Sequence, residues 1–230
     1  MEKIKINSKH VYYSEKDNLK YFDAIENKNY ELLKILKDDN RSYVALIEIY
    51  NMKIIYKIPR EKNKRKWQRF LSVFRGSESK REYKNIEKIK RWGFNCTKPI
   101  IATEEKCGFF VIDSYFLYFY IEGKQSRSNN AEEVAKVLSE IHQLGFLHGD
   151  SQLENFIIST ENKIYLIDTK FIKNFYGNFG KAYEFIYLEE SCHDDKISLY
   201  NKNSFFYIVA HILKKYLELI RKMKKNRREN

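Results

Sequence analysis

His148-Gly149-Asp150-Ser151-Gln152-Leu153-Glu154-Asn155, continued by Phe156-Ile157-Ile158 and, past a turn, by Lys163-Ile164-Tyr165-Leu166-Ile167-Asp168, is the stretch that most constrains this 230-residue chain. Its two apolar runs flank Ser159 to Asn162 and read as a β-hairpin. Centring the turn between Glu161 and Asn162 makes the numbers of facing residues sum to 323. Asn155 then faces Asp168 across the open end, where both could bind one cation. Asp150, five residues before Asn155, lies on the loop entering the same end.

These residue types suit one chemistry. An Asp carboxylate and an Asn carbonyl are hard oxygen donors of the kind Mg²⁺ takes when it accompanies nucleotide phosphates. A separate carboxylate must then orient an attacking hydroxyl and accept its proton, and Asp150 is placed for that role. The stretch therefore predicts ATP-dependent phosphoryl transfer to a hydroxyl, with Asp150 catalytic and Asn155 and Asp168 holding Mg²⁺.

Upstream, Tyr30 to Leu36, Tyr43 to Tyr50 and Lys53 to Ile58 are short apolar or β-branched runs, the first two separated by Asp38-Asp39-Asn40. They read as three consecutive antiparallel strands. A Lys/Arg-rich connection follows Pro59, and Ser79 to Trp92 then takes helical spacing through Tyr83, Ile86 and Ile89, with Gly93 as its stop. Ile100 to Ala102 and Phe109 to Tyr120 supply two more strands, the second continuous and apolar enough to be buried on both faces. Downstream, Asn130 with Glu133 reads as a capping box opening a helix whose stripe is Val134, Val137, Leu138 and Ile141. A last helix runs from about Ser204 to Lys225. Its stripe of Phe205, Ile208, Val209, Ile212, Leu213, Tyr216 and Ile220 is expected to pack inward, leaving Lys214, Lys215, Arg221, Lys222, Lys224 and Lys225 mostly outward.

Composition sets the class. A hydrophobic fraction of 43% with 16% aromatic residues predicts a packed, aromatic core and excludes a disordered chain. Three cysteines, Cys96, Cys107 and Cys192, form no C-x-x-C pair, which argues against a zinc or disulfide framework. The longest apolar run, Tyr115 to Ile121, has seven residues against the roughly 20 needed to span a bilayer. With no signal peptide apparent, a cytoplasmic location is expected. The net charge of +12 is concentrated: Lys53 to Arg91 holds 15 Lys or Arg against 4 Glu, and Ile212 to Asn230 holds 8 basic against 2 acidic residues. Two basic regions on a mildly acidic body fit an anionic surface as partner or, more plainly, a solubilising face. No aromatic-interleaved nucleic-acid motif accompanies them.

His-Gly-Asp-x-x-x-x-Asn followed by an aliphatic-aliphatic-Asp strand resembles the catalytic and metal-binding loops of protein-kinase-like enzymes, and Gly149 is similar to their small-molecule and sugar-kinase branches. The resemblance implies that Lys57, in Ile54-Ile55-Tyr56-Lys57-Ile58, is the phosphate-binding lysine, and that Glu82 is the helix glutamate paired with it, with Glu78 and Glu87 as neighbouring alternatives. It also implies that Tyr120-Ile121-Glu122-Gly123 ends an interlobe hinge. Two departures stand out. The first hairpin, Lys37 to Ser42, has no glycine to form a phosphate cover, and Thr169-Lys170 follows Asp168 in place of Phe-Gly.

Over nearly its whole length the chain is similar to the lipopolysaccharide core heptose kinases of Gram-negative bacteria, with Kdo kinases next. The implied fold is α+β and two-lobed, with a five-stranded antiparallel N-lobe sheet over residues 1–119 and a minimal helical C-lobe over 120–230. The implied activity is ATP- and Mg²⁺-dependent phosphorylation of an inner-core heptose by a monomer at the inner face of the inner membrane. The partners would then be the core glycolipid and an anionic membrane surface, with no nucleic acid. A minimal RIO-type protein kinase and a non-catalytic pseudokinase module are the other readings.

Overall fold

The computed structural model describes residues 1–60, 76–194 and 197–229, with backbone alone from 224 on. Most of the basic connection after Pro59 lies outside the described residues, as do the side chains of Lys224 and Lys225. The chain divides into two compact units, Met1–Glu122 and Gly123–Asn230.

The first unit is built on a single antiparallel sheet. Its strands are β1 (Glu2–Ile6), β2 (Lys9–Tyr13), β3 (Glu31–Asp38), β4 (Tyr43–Ile49), β5 (Met52–Ile58), β6 (Pro99–Cys107), β7 (Phe110–Asp113) and β8 (Phe116–Phe119), ordered β1-β2-β6-β8-β5-β4-β3 with β7 paired to β6. The sheet thus has eight strands where five are expected. Glu2–Ile6 and Lys9–Tyr13 add a hairpin, and the continuous run Phe109 to Tyr120 breaks into two strands at Ser114-Tyr115. Phe110 and Ile112 are exposed, so that run is not buried on both faces.

Strand alternation sends successive side chains to opposite faces. Val11, Tyr13, Ile54, Ile101 and Leu117 meet Tyr21, Phe22 and Ile25 of α1 (Leu19–Glu26) in one cluster. Tyr12, Ala102 and Phe116 meet Tyr83 of α2 (Glu78–Arg91) in another. Ile54, Tyr56 and Ile58 belong to the α1 face, so Lys57 points to the face that carries α2. The start of α2 is fixed by two contacts. Ser77 Oγ accepts from Lys80 N at 3.0 Å, and buried Glu104 accepts from Ser77 N at 2.6 Å.

The second unit holds β9 (Gly123–Gln125), β10 (Phe146–Leu147), β11 (Phe156–Ser159), β12 (Ile164–Leu166) and β13 (Ile172–Lys173), paired as β12-β11-β9 and β10-β13. Helices α3 (Ala131–Gln143) and α4 (Gly177–Ser191) pack against β10, and α5 (Phe205–Glu229) packs on α4. A short 3-10 turn, Ser128–Asn130, precedes α3, and the Asn130 side chain makes no cap bond, so the expected capping box does not form. Helices α4 and α5 approach through small residues, Ala182 and Ala210, both fully buried.

Two further expectations for this unit are corrected. The β11–β12 register pairs Phe156 with Leu166 and Ile158 with Ile164, a sum of 322 and not 323. The turn has three residues between Ser159 and Lys163, with Asn162 in the left-handed region at φ 57°, and an odd loop shifts the pairing by one. The second correction inverts α5. Phe205, Ile208, Val209, Ile212, Leu213 and Tyr216 are exposed, while Ala210 and Lys214 are buried. Lys214 can be buried because it is paired: its ammonium bridges to Glu190, reaches Glu218 at 3.7 Å and sits 4.3 Å over the Tyr187 ring.

Candidate active site

The predicted residues gather in two groups, one in each unit. In the first, Lys57 Nζ lies 3.0 Å from Glu82 Oε1, and both side chains are largely sheltered. The neighbouring acids are engaged elsewhere: Glu78 with Arg81, and Glu87 with the Ser14 hydroxyl at 2.6 Å. The β3–β4 turn explains how a hairpin without glycine is shaped. Asp39 Oδ1 accepts from Arg41 N at 2.8 Å and from Ser42 N at 2.7 Å, and these backbone bonds, led by that of Ser42, hold its carboxyl below the usual range. Those two amides are therefore committed to Asp39 in this structure.

In the second unit the loop after β10 is held from beneath by a side chain the sequence did not single out. Glu184, on α4 and nearly fully buried, accepts from His148 N at 2.9 Å and from Gly149 N, and bonds His142 Nε2 at 2.9 Å. The Glu184 carbonyl also accepts from Ser151 Oγ at 2.7 Å. Two peptide amides and a ring nitrogen converge on one carboxylate, which fixes the backbone just before Asp150. The only hint in the sequence is an acid set between Tyr183 and Phe185 in an aromatic run.

His148 is fully buried, tilted against Phe156 at 4.8 Å, and its pKa is lowered to about 4 by burial. It is therefore neutral. Nδ1 accepts from Asp150 N at 3.3 Å, which leaves the proton on Nε2 to donate to Thr169 Oγ1 at 2.7 Å. Its carbonyl takes Lys170 N at 2.9 Å. Thr169 and Lys170, the departure from Phe-Gly, thus tie the segment after Asp168 to the Asp150 loop. Gly149 is needed twice: its φ is 88°, and an added Cβ would stand 2.9 Å from Lys170 Cβ.

Asn155 sits in a 3-10 turn, Leu153–Asn155, and is nearly buried. Its Nδ2 donates to the Asp150 carbonyl at 2.8 Å, which orients Oδ1 as the atom able to meet a cation. Ile167 N donates to the Asn155 carbonyl at 3.0 Å, so Ile167 and not Asp168 stands opposite Asn155. Asp168 comes one residue later, exposed and at φ 50°. Burial raises the Asp150 carboxyl above its ordinary value; Lys170 opposes that rise, and the Asp168 carboxylate adds to it. The carboxylates are near enough to feel each other, and an Asn carbonyl oxygen with an Asp carboxylate suits Mg²⁺, which keeps substrate phosphates and waters as its other ligands.

A family model described as "Lipopolysaccharide core biosynthesis protein (WaaY)" matches residues 1–226. The chain belongs to the WaaY family. Two relatives in it are lipopolysaccharide core heptose(II) kinases of Escherichia coli. That of strain K12 is 24% identical over 168 residues, covering 69% of this chain and 72% of the relative. The other is 26% identical over 161 residues, covering 65% and 69%. Among solved structures, WaaP in complex with acyl carrier protein superposes with a TM-score of 0.56 at 14% identity, over 94% of this chain and 97% of that one. The WaaY-family chain therefore shares the mixed α+β fold of WaaP, antiparallel sheets included.

Proposed function

We propose that this WaaY-family chain is an ATP-dependent heptose kinase of lipopolysaccharide core biosynthesis, working through a protein-kinase-like site. Its relatives are named for that activity. The observation that carries the reading is the convergence of Asp150, Asn155 and Asp168 around one loop, with the Asp168 charge acting on Asp150. Asp150 accepts the proton of the attacking heptose hydroxyl, and its raised pKa makes it a stronger base than a free carboxylate. Asn155 and Asp168 would hold Mg²⁺, which when bound neutralises the charge on the ATP phosphates. Lys57, oriented by Glu82, supplies the cation that positions those phosphates. Incubation with labelled ATP and either heptose-containing lipopolysaccharide or a generic basic protein tests this. Label in the glycolipid supports it; label in the protein alone, or none, rejects it.

The same reading puts the enzyme on the anionic membrane surface that carries its acceptor. No helix among the described residues is long and apolar enough to cross a membrane. On α5, however, Phe205, Val209, Ile212, Tyr216, Leu219 and Met223 form an exposed apolar line at alternating steps of four and three, bordered by exposed Lys215 and Lys222. The sequence continues with Lys224, Lys225, Arg227 and Arg228. Apolar side chains beside a dense basic end match an anionic lipid interface and would repel a second copy of the same helix. Ile212→Glu should release the protein from anionic vesicles in cosedimentation, whereas unchanged sedimentation would remove the membrane from the reading.

A further inference from the structure

Helix α4 presents a part-exposed aromatic ladder beside its core contact with α5. Phe179, Tyr183 and Tyr187 recur at steps of four, and Tyr176 extends the row one turn earlier. Phe179 and Tyr183 are stacked at 6.2 Å, Tyr183 and Tyr187 approach to 5.1 Å, and the last two hydroxyls lie 3.4 Å apart. Ala182, Phe185, Ile186 and Leu188 take the buried positions, and Phe179 and Tyr183 pack one edge against Ala182, Ile186 and Ala210 while staying part-exposed.

The ladder walls a cavity of about 570 Å³ whose other lining includes Asp150, Lys170 and Arg221. Among the described residues, Asp150 lines it and Asn155 and Asp168 do not. A second cavity, of about 710 Å³, shares Tyr187 and Arg221 with the first and is lined further on by Arg127, Gln152, His193 and Lys214. Ser126 also lines it and carries a buried hydroxyl with no partner among the described residues. Arg221 thus stands at the junction, and its charge reaches the Tyr183 hydroxyl.

We propose that these joined cavities are the acceptor-saccharide site. The Phe179–Tyr183–Tyr187 ladder lies against the sugar, Asp150 meets the hydroxyl to be phosphorylated, and Arg221 binds an anionic substituent on a neighbouring sugar. The proposal rests on the sugar-kinase reading above and names its acceptor contacts. Tyrosines offer an apolar ring for the C–H face of a saccharide together with a hydroxyl for its polar rim. A largely apolar wall with a few convergent polar groups is the usual form of a small-molecule site, and both volumes fall in its range. A guanidinium makes paired, charge-assisted bonds to phosphate or carboxylate. The room beyond Arg221 suits an acceptor of more than one sugar.

The test uses deacylated lipopolysaccharide core oligosaccharide, with calorimetric binding in the absence of ATP measured separately from label transfer from ATP. Arg221→Gln should weaken binding by about 10- to 100-fold, the scale of a lost charged hydrogen bond. Tyr183→Leu should weaken it as well, while Tyr183→Phe retains most affinity and guards against misfolding. Lys136→Gln, exposed on α3 and away from both cavities, should bind as the wild type does. Phosphatase treatment of the oligosaccharide identifies the anion: a wild-type affinity reduced to that of Arg221→Gln shows phosphate, and an unaltered gap between the two shows carboxylate. Binding weakened in the variants without transfer by the wild type would sink the kinase reading and keep the site. Wild-type affinity in both Arg221→Gln and Tyr183→Leu, or no binding by the wild type, overturns the site.

Discussion

Replacing Glu184 should damage catalysis without touching a reacting atom. Its carboxylate accepts the His148 and Gly149 amides and bonds His142, all in a buried setting. Glu184→Ala strands both amides, each orphaned donor costing about 1–3 kcal/mol, so the loss should be about 2–6 kcal/mol. Glu184→Gln keeps one carbonyl oxygen and turns an NH₂ toward the other amide, which halves the loss to about 1–3 kcal/mol. The loop can escape this cost by leaving its native geometry. A penalty of about 2 kcal/mol then lowers the competent fraction roughly 30-fold. The fall should appear in kcat, with little change in the KM for ATP, and with Glu184→Gln between Glu184→Ala and the wild type. Steady-state kinetics together with urea unfolding would measure both effects. Near-wild-type kcat in Glu184→Ala, or a stability loss under about 1 kcal/mol, would refute the claim that this carboxylate holds the Asp150 loop.

Four other outcomes follow from the site. Asp150→Asn should lower kcat by about 10²- to 10⁴-fold while ATP binding, read by calorimetry, is preserved. Asp168→Asn and Asn155→Ala should raise the Mg²⁺ concentration needed for half-maximal rate, and Mn²⁺ should partly rescue at least one of them; normal rates at limiting Mg²⁺ in both would discard the ligand assignment. Lys57→Ala should reduce kcat/KM for ATP, and Glu82→Gln should do so less, because the lysine stays but loses its partner. His148, lowered to about 4 in the fold against about 6.5 in the unfolded chain, binds its proton more weakly when folded. The unfolded state takes up the proton first as pH falls, so stability should drop between about pH 6.5 and 4. Urea midpoints at pH 7 and pH 5 check this, and His148→Asn should show a smaller difference between them.

The Asp150–Asn155 spacing and the residue before Thr169 were legible because their chemistry is written in side-chain identity. Register was not, since Glu161 and Asn162 allow either an even or an odd loop. Only the left-handed Asn162 decides it, and it moves Asp168 one place past Asn155. Periodicity located the apolar face of α5 but could not say what covers it, and the structure buries the opposite side through Ala210 and Lys214. Helix α4 escaped notice for a different reason: with aromatic or aliphatic residues on both sides, and Gly177 and Gly180 within it, it shows no single stripe to detect. The β1–β2 hairpin is not legible in the sequence because Glu2 to Ile6 is short, charged and mostly exposed.

The overlooked helix turns out to organise the site. On α4, Glu184 reaches the amides that precede Asp150, while the adjacent Tyr183 faces the cavity that Asp150 lines. Consecutive residues on a helix diverge by about 100°, so one rigid element serves the loop with one side chain and the proposed acceptor wall with the next. Asp150 and the wall cannot then move independently, because a shift of α4 displaces both. Positioning of the base against the sugar hydroxyl is the geometry such a reaction is most sensitive to. Placing the loop anchor and the proposed acceptor wall on neighbouring residues of α4 accords with a helix that buries Ala182, Phe185, Ile186 and Leu188 on one side and carries Phe179, Tyr183 and Tyr187 on the other.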